Sequence, residues 1–456
     1  MPTELSPRPT SVTLDVGEAI DRSPWSGLQK RVVVLAALAV VLDGIDGQLI
    51  GYAIPVLMKD WGLAREAFTF VVAAGLIAMS VGSAVAGYAA DRVGRRRVII
   101  GSVILFAVAT AAIGLAQGPT AVALLRFCAG LGIGGALPSA TTLVAEYTPA
   151  RRRTTAVTAT IVCLPAGGML AGLFAAYVLP SLGWRALFLI GGTLPLAVAL
   201  LLSFALPESV RFLARRPRRW PELALLFRRM AVPAPDDAAF TDYGEQYRER
   251  DRAVSMLFGE ARTRDTLTLW AAFFLCLFAV YSAFSWLPTA LSAQGLSLAT
   301  AGSGLTAYNL GGVVGALLCA QAIARFGSRW SLVLCCAGGA VSAFALTNAG
   351  SMDPRLLVLG LGVHGLFVNA VQSTLYAVCA HVYPTAVRAT GTASALAVGR
   401  LGALAAALVG AAVITARGLP AYLAMLGIAM TGVLVALALL RDHIPQHRTM
   451  AEPALA

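Results

Sequence analysis

The chain has 456 residues, of which 58% are hydrophobic and 13% are charged, whereas a soluble domain carries about 25% charged residues. This composition excludes a soluble domain, a disordered chain and a disulfide scaffold. The net charge of +12 does not indicate a nucleic acid partner, because the basic residues are distributed as in a membrane protein.

Twelve apolar runs follow one another along the chain, each close to the roughly 20 residues that a helix needs to cross a bilayer. The first six lie near residues 31–54, 67–90, 98–116, 119–144, 154–179 and 185–206. The second six lie near residues 266–289, 299–322, 331–349, 355–379, 389–415 and 419–440. We therefore expect an all-α integral membrane protein with 12 transmembrane helices in two pseudo-symmetric six-helix halves.

The loops between the runs predict the orientation. Most of the 35 Lys and Arg residues lie in alternate loops, and the other loops contain only Lys59, Arg65, Arg185, Arg355 and Arg417. Basic loops stay in the cytoplasm, so we expect both termini there. The predicted parts are a cytoplasmic N-terminal segment, a first half, a cytoplasmic central loop, a second half and a cytoplasmic tail, at 1–30, 31–206, 207–264, 265–441 and 442–456.

The two halves share sequence at matching positions. EYTPARRRTTA at 146–156 aligns with HVYPTAVRATG at 381–391, through Pro149 with Pro384 and Arg153 with Arg388. GYAADRVGRRR at 87–97 aligns with AQAIARFGSRW at 320–330. Two parallel repeats are one of the known transporter layouts, with the binding site between the halves near the middle of the membrane.

The loop after the second run contains regularly spaced glycine, acidic and basic residues: Gly87, Asp91, Arg92, Gly94, Arg95 and Arg97. Gly87 would let a neighbouring helix approach, Gly94 permits a tight turn, and Asp91 can cap another helix and pair with an arginine. Such contacts form in one conformation and break in another, so we predict a gate. Glu146, beside Arg151–Arg153, is predicted to form a helix-end salt bridge or a latch of this gate.

With these motifs the whole chain resembles the major facilitator superfamily. Further matches are Arg126 with the glycines that follow it, and PESVRFL at 207–213. The resemblance implies two six-helix halves that rock about a central site. The second copy of the loop motif has Ala324 where an Asp is usual, which leaves the second half without its own acidic latch.

Two acidic residues, Asp43 and Asp46, lie deep in the first run within LDGIDG. A spacing of three residues places both on one face of a helix. Burial and a neighbouring like charge both favour the protonated form of a carboxyl group, and ionisable groups in a membrane mark ion or substrate paths. We predict that this pair couples proton movement to transport, the alternative being a pair locked in structural salt bridges.

The DGxD pattern of Asp43, Gly44 and Asp46 resembles the aromatic acid:H+ symporter branch of the superfamily. The stretches RFCAGLGIGGALPSATTLVAEYTPARRR at 126–153 and YPTAVRATGTASALAVGRLGA at 383–403 are also similar to that branch. The resemblance implies import of an aromatic acid of the benzoate, hydroxybenzoate or protocatechuate class, together with H+, across a bacterial inner membrane.

Two buried cations, Arg126 and Arg400, lie within runs, one in each half. A guanidinium binds a carboxylate through two parallel hydrogen bonds, so we predict that both contact the substrate. Structural pairing with Asp43 or Asp46 is the alternative, and for Arg126 it is equally favoured.

Polar and aromatic residues of the second half complete the predicted substrate site: Tyr308, Asn309, Asn369, Gln372 and Tyr376. His364 could relay protons or be hydrogen-bonded internally. Trp286, beside Pro288, is predicted to lie in the aromatic belt at the membrane interface.

The predicted mechanism needs no cofactor or metal, and H+ is the coupled ion. The chain contains no GxxxxGK(S/T) motif for a nucleotide, and a monomer suffices. The nearest alternative is a facilitator for another organic acid, a sugar or an exported drug. A membrane enzyme would need a metal cluster or a nucleophile with its base, and a receptor would need a signalling domain; neither pattern is present.

Overall fold

The computed structural model describes the chain over most of its length, at residues 13–233, 239–242, 258, 263–383 and 388–445. The described residues are almost entirely helical. Pro384, one of the predicted repeat positions, lies outside them.

Two sets of five long helices build the molecule. The N-terminal part contains β1 (Thr13–Asp15), the short α1 (Val16–Asp21), and then α2 (Gly27–Trp61), α3 (Thr69–Val93), α4 (Arg95–Ile113), α5 (Pro119–Tyr147) and α6 (Ala150–Ala205). The central part contains α7 (Val210–Ala214), α8 (Trp220–Arg229) and β2 (Ala239–Thr241). The C-terminal part contains α9 (Thr263–Ser292), α10 (Leu298–Phe326), α11 (Ser328–Ala345), α12 (Pro354–Val382) and α13 (Arg388–Leu439). Short 3-10 helices lie at Arg65–Phe68, Pro217–Arg219 and Leu346–Ser351.

These helices supply the twelve predicted spans. By length and hydropathy, 10 helices of the described chain can cross a membrane. Two of them, α6 with 56 residues and α13 with 52, are interrupted at Gly183 (φ 78°) and Gly418 (φ 72°). Only glycine adopts such a φ without strain, so each of these helices provides two spans around a glycine turn. The prediction of twelve spans in two six-helix halves is confirmed. We call α2–α6 the first half and α9–α13 the second half.

Helices pack in the same way in both halves. In the first half α2 packs on α6 and α3 on α5, and in the second half α9 packs on α13 and α10 on α12. Glycines stand at the contacts: a Cβ added at Gly134 would lie 2.1 Å from the carbonyl oxygen of Met79, and one at Gly311 would lie 1.9 Å from that of Gly362. Small residues allow such backbone contact in membranes, where van der Waals packing drives helix association.

One prediction about the aromatic belt was wrong. Trp286 is fully buried, and its Nε1 donates a hydrogen bond of 3.2 Å to the carbonyl oxygen of Ala407. The indole N–H finds a partner inside the second half, so the ring has no need of the membrane interface.

The N-terminal segment and the central loop join at one end of the bundle. Strand β1 pairs in parallel with β2, with Thr13 opposite Ala239. Arg211 lies 3.6 Å from Asp242 in an ion pair. Because the basic loops emerge here, we call this the basic end and the other the opposite end.

The glycines of the first span allow a direct test of the packing. Gly44→Ala is expected to destabilise the protein by about 1–3 kcal/mol, because the new Cβ would lie 2.2 Å from the carbonyl oxygen of Leu164. Gly47→Ala is the matched control, since a Cβ there meets nothing within 4 Å. Thermal unfolding of both variants in detergent checks this, and equal midpoints would contradict the packing.

Candidate functional site

A cavity lies where the middle of α2 meets the second half. Its polar lining consists of Asp43, Gln48, Arg126, Tyr281 and Ser285, and the remaining wall is apolar side chains and glycines of α2, α3, α5, α6 and α9. An apolar wall with few convergent polar groups suits a ligand that has an apolar body and a charged end.

Asp46 is held within the first half. Its side chain is 1% exposed, and Thr110 on α4 donates a hydrogen bond of 2.5 Å to its Oδ1. Arg126 on α5 lies 3.8 Å from its Oδ2 and donates to its backbone carbonyl oxygen at 3.2 Å. The structural pairing considered for Arg126 is therefore present, although Arg126 also lines the cavity.

Asp43 lies in a different environment, although it is only three residues away. It is 2% exposed and lines the cavity. Its Oδ1 has no hydrogen-bond partner among the described residues. The nearest opposite charge that acts on it is Arg400 on α13, in the other half. A buried carboxyl group with an open acceptor requires a proton, a cation or water to stabilise it.

Arg400 is positioned by Tyr281 at the cavity wall. Its Nη1 donates a hydrogen bond of 3.2 Å to the hydroxyl of Tyr281, and its Nε has no partner within the described chain. Tyr376 on α12 also lies in the electrostatic environment of this guanidinium. The guanidinium therefore keeps a free donor next to Tyr281, which lines the cavity, although Arg400 itself is not among the described lining residues. A free guanidinium donor can bind a carboxylate.

One polar contact at the site was missed by the sequence interpretation. Gln48 lines the cavity, and its Nε2 donates to Oδ1 of Asn309 on α10 at 3.0 Å. Asn309 donates back from Nδ2 to Oε1 of Gln48 at 2.7 Å. The only sequence signal was a glutamine deep in an apolar run, two residues after Asp46.

Among the predicted substrate residues, only Arg126 belongs to the described lining of the cavity, and the others, which include Arg400, Asn309 and Tyr376, do not. Tyr308, Asn369 and Gln372 are buried, but none of them is among the lining residues that the structure describes. Asn369 donates a hydrogen bond of 3.0 Å to the carbonyl oxygen of Gly365 on its own helix. The prediction that they bind substrate stays a prediction.

His364 has internal partners in the second half. Its Nδ1 lies 3.0 Å from the hydroxyl of Ser342 and 3.1 Å from the carbonyl oxygen of Gly339. The ring is buried between α11 and α12, so the structure favours the internally hydrogen-bonded alternative over a proton relay.

The predicted gate residues form part of a buried network at the basic end. Arg95 donates from Nε to Oε1 of Glu146 at 2.7 Å, and the hydroxyl of Ser209 donates to Oε2 of the same carboxylate. Asp91 is half-exposed and lies 3.7 Å from Arg95. Glu146 thus binds the start of α4 and the segment after α6, which joins three elements of the first half.

Gly94 turns the chain at the same place. Its φ is 102°, and a Cβ there would lie 2.2 Å from Oε2 of Glu208. Glu208 accepts a hydrogen bond of 3.1 Å from the backbone N–H of Arg96, so its charge stabilises the N-terminus of α4. In this conformation a Cβ at Gly87 would meet no described atom within 4 Å, so the close approach predicted there is absent.

The other two basic residues of the motif face outward. Arg92 stacks over the ring of Tyr88 at 4.1 Å, and Arg97 is exposed. Neither bridges the two halves within the described chain.

Polar contacts between the halves lie near the middle of the bundle and at the opposite end. The hydroxyl of Tyr52 lies 3.5 Å from that of Thr306. Arg65 donates a hydrogen bond of 3.0 Å to Thr415, which donates one of 2.5 Å to Glu66. In contrast, the polar contacts described at the basic end join elements within one half. The halves are therefore closed together at the opposite end in this conformation.

Comparisons with known proteins agree with this architecture. The model of the Major Facilitator Superfamily matches residues 36–305 and 269–454. The chain is 35% identical over 434 residues to a gallate transporter of Pseudomonas putida, covering 93% of this chain and 96% of that protein. It is also 35% identical over 436 residues to a 4-hydroxybenzoate transporter of Pseudomonas aeruginosa, covering 93% and 97%. A partially occluded, inward-open structure of a xylose transporter from E. coli has a TM-score of 0.70 at 17% identity, covering 90% of this chain and 98% of that one.

Proposed function

The chain belongs to the Major Facilitator Superfamily, and from that premise we propose that it imports an aromatic carboxylate by proton symport. One observation carries the proposal: Asp43, with an open carboxylate oxygen, lines the cavity, and Arg400 of the other half, with an open guanidinium nitrogen, is hydrogen-bonded to Tyr281 of the same lining. The two relatives that are 35% identical are named for gallate and 4-hydroxybenzoate, and both of these compounds are ring acids with hydroxyl groups.

The proposed cycle follows from the charges. Asp43 takes up a proton, and the carboxylate of the substrate binds Arg400 in its place. The proton and the anion together add no net charge to the site, so the cost of passing the loaded site through the low-dielectric interior stays small. Asp46 keeps its partners Thr110 and Arg126 and acts as the second, more tightly held member of the pair.

The halves then rock about the cavity. In the conformation seen here they meet near the middle of the bundle through Tyr52 and Thr306 and at the opposite end through Arg65 and Thr415. Opening that end breaks these contacts and closes the basic end, where the network of Arg95 and Glu146 stiffens the first half as a rigid body.

The proposed orientation rests on the basic loops. We place the basic end in the cytoplasm of a bacterial cell, with both termini on that side of the inner membrane. The protein acts as a monomer with H+ as its coupled ion and without a cofactor, because a single chain contains both halves and the charges that the cycle needs.

Uptake by purified protein in proteoliposomes tests the proposal. With an inward proton gradient, labelled 4-hydroxybenzoate or gallate is expected to accumulate above its external concentration. A protonophore is expected to abolish this accumulation. Transport of a sugar or a drug without uptake of any aromatic acid would overturn the substrate class, and accumulation that the protonophore leaves unchanged would overturn the coupling.

A further inference from the structure

Gln48 is oriented by a partner on the other half of the molecule. An amide group has two N–H donors and an oxygen with two lone pairs. Asn309 uses one N–H on Gln48 and the other on the carbonyl oxygen of Leu305 at 3.0 Å, and its oxygen accepts from Gln48. The pairing with Asn309 therefore occupies one N–H and one lone pair of the Gln48 amide, and one N–H and one lone pair remain.

The remaining N–H and lone pair of Gln48 lie at the central cavity. Gln48 lines the central cavity, whereas Asn309 is not among the lining residues described. Behind the pair stands Gly168, where a Cβ would lie 2.1 Å from Nε2 of Gln48 and 2.7 Å from Oδ1 of Asn309. Gly168 therefore packs against one side of the amide pair, and the cavity that Gln48 lines is the described space where its remaining groups can meet a ligand.

We propose that Gln48 determines specificity by binding a ring hydroxyl group of the substrate, an inference that rests on the function proposed above. A hydroxyl group both donates and accepts a hydrogen bond, so it can accept from the free N–H or donate to the free lone pair of the Gln48 amide. A carboxylate only accepts, so it can use the N–H of Gln48 but not its lone pair. The amide, with one donor and one acceptor free, therefore suits the hydroxylated end of an aromatic acid better than its charged end.

The spacing along α2 agrees with this assignment. Gln48 lies five residues beyond Asp43, a rise of roughly 7.5 Å along the helix axis. This separation is comparable with the distance between the carboxylate and a para-hydroxyl group across a benzene ring. A substrate whose carboxylate lies near Asp43 and Arg400 can then reach Gln48 with its hydroxyl group.

The test compares two acids that differ only in the hydroxyl group. Gln48→Met keeps the length of the side chain and removes its hydrogen-bonding groups. The KM for 4-hydroxybenzoate is expected to rise about 5- to 10-fold, the size of one neutral hydrogen bond, and the KM for benzoate to change less than about 2-fold. Asn309→Leu, which removes the group that orients Gln48, is expected to cause the same selective loss.

Thr306→Val provides the matched control. It removes another polar contact between the halves, that of Thr306 with Tyr52, but at a residue that does not line the described cavity. It is expected to change the KM of both acids by the same factor.

The outcomes separate the inference from the proposed function. If Gln48→Met and Asn309→Leu raise the KM of both acids equally, or of neither, the amide pair is only structural and the inference fails. If the unaltered protein transports neither acid, the proposed function itself fails. Thermal midpoints of the variants identify misfolding. If Gln48→Met does not fold, the KM values of the two acids are compared in Asn309→Leu instead.

Discussion

Asp43→Asn is expected to abolish the accumulation of an aromatic acid against its gradient while leaving the exchange of that acid across the membrane intact. Asn has nearly the shape of the protonated Asp but cannot release a proton. The variant can therefore still bind the acid and move it across the membrane, but without coupling to a proton. The cavity position of Asp43 and its open Oδ1 are the structural basis of this expectation, because a coupling group has to alternate between two charge states.

Two assays in proteoliposomes check this expectation. In Asp43→Asn, a pH gradient should no longer drive the labelled acid above its external concentration. Counterflow of labelled acid against unlabelled acid on the inside should persist. Asp353→Asn is the control, because this exposed residue caps α12 by accepting a 2.7 Å hydrogen bond from the N–H of Arg355, a role that Asn also fills. Undiminished accumulation by Asp43→Asn would remove Asp43 from the coupling mechanism.

Arg400→Gln is expected to weaken the binding of the acid by about 30-fold or more. Removing one partner of a buried, hydrogen-bonded charge pair costs about 2–5 kcal/mol, and each 1.4 kcal/mol is about tenfold in Kd. The Kd of Arg400→Lys is expected to lie between that of the unaltered protein and that of Arg400→Gln, because the ammonium keeps the charge but loses the planar pair of donors. The free Nε of Arg400 and its anchor on Tyr281 are the structural basis of this expectation.

Calorimetric titration of the purified protein with 4-hydroxybenzoate measures the effect at constant pH. Arg355→Gln is the control, since Arg355 is an exposed arginine at the opposite end. A Kd for Arg400→Gln that equals that of the unaltered protein, at an unchanged thermal midpoint, would show that the carboxylate binds elsewhere.

Interactions along one helix were predictable, and interactions between helices were not. The spacing of Asp43 and Asp46 placed both on the first span, but it could not show that Asp46 binds Thr110 and Arg126 while Asp43 faces Arg400. Gln48 and Asn309 are 261 residues apart, and no local pattern connects them. Trp286 was misplaced for the same reason, because its hydrogen-bond partner Ala407 comes from another helix.

The amino-acid sequence alone determined the twelve spans, the duplication into halves and the residues whose charge is costly in a membrane. These properties depend on hydrophobicity and short spacings, which any membrane imposes on the chain locally. Only the tertiary structure decided which carboxyl group is held and which remains open to the cavity, and which amide faces a ligand. Those assignments depend on the packing of helices from both halves, where small differences in position decide which polar groups meet.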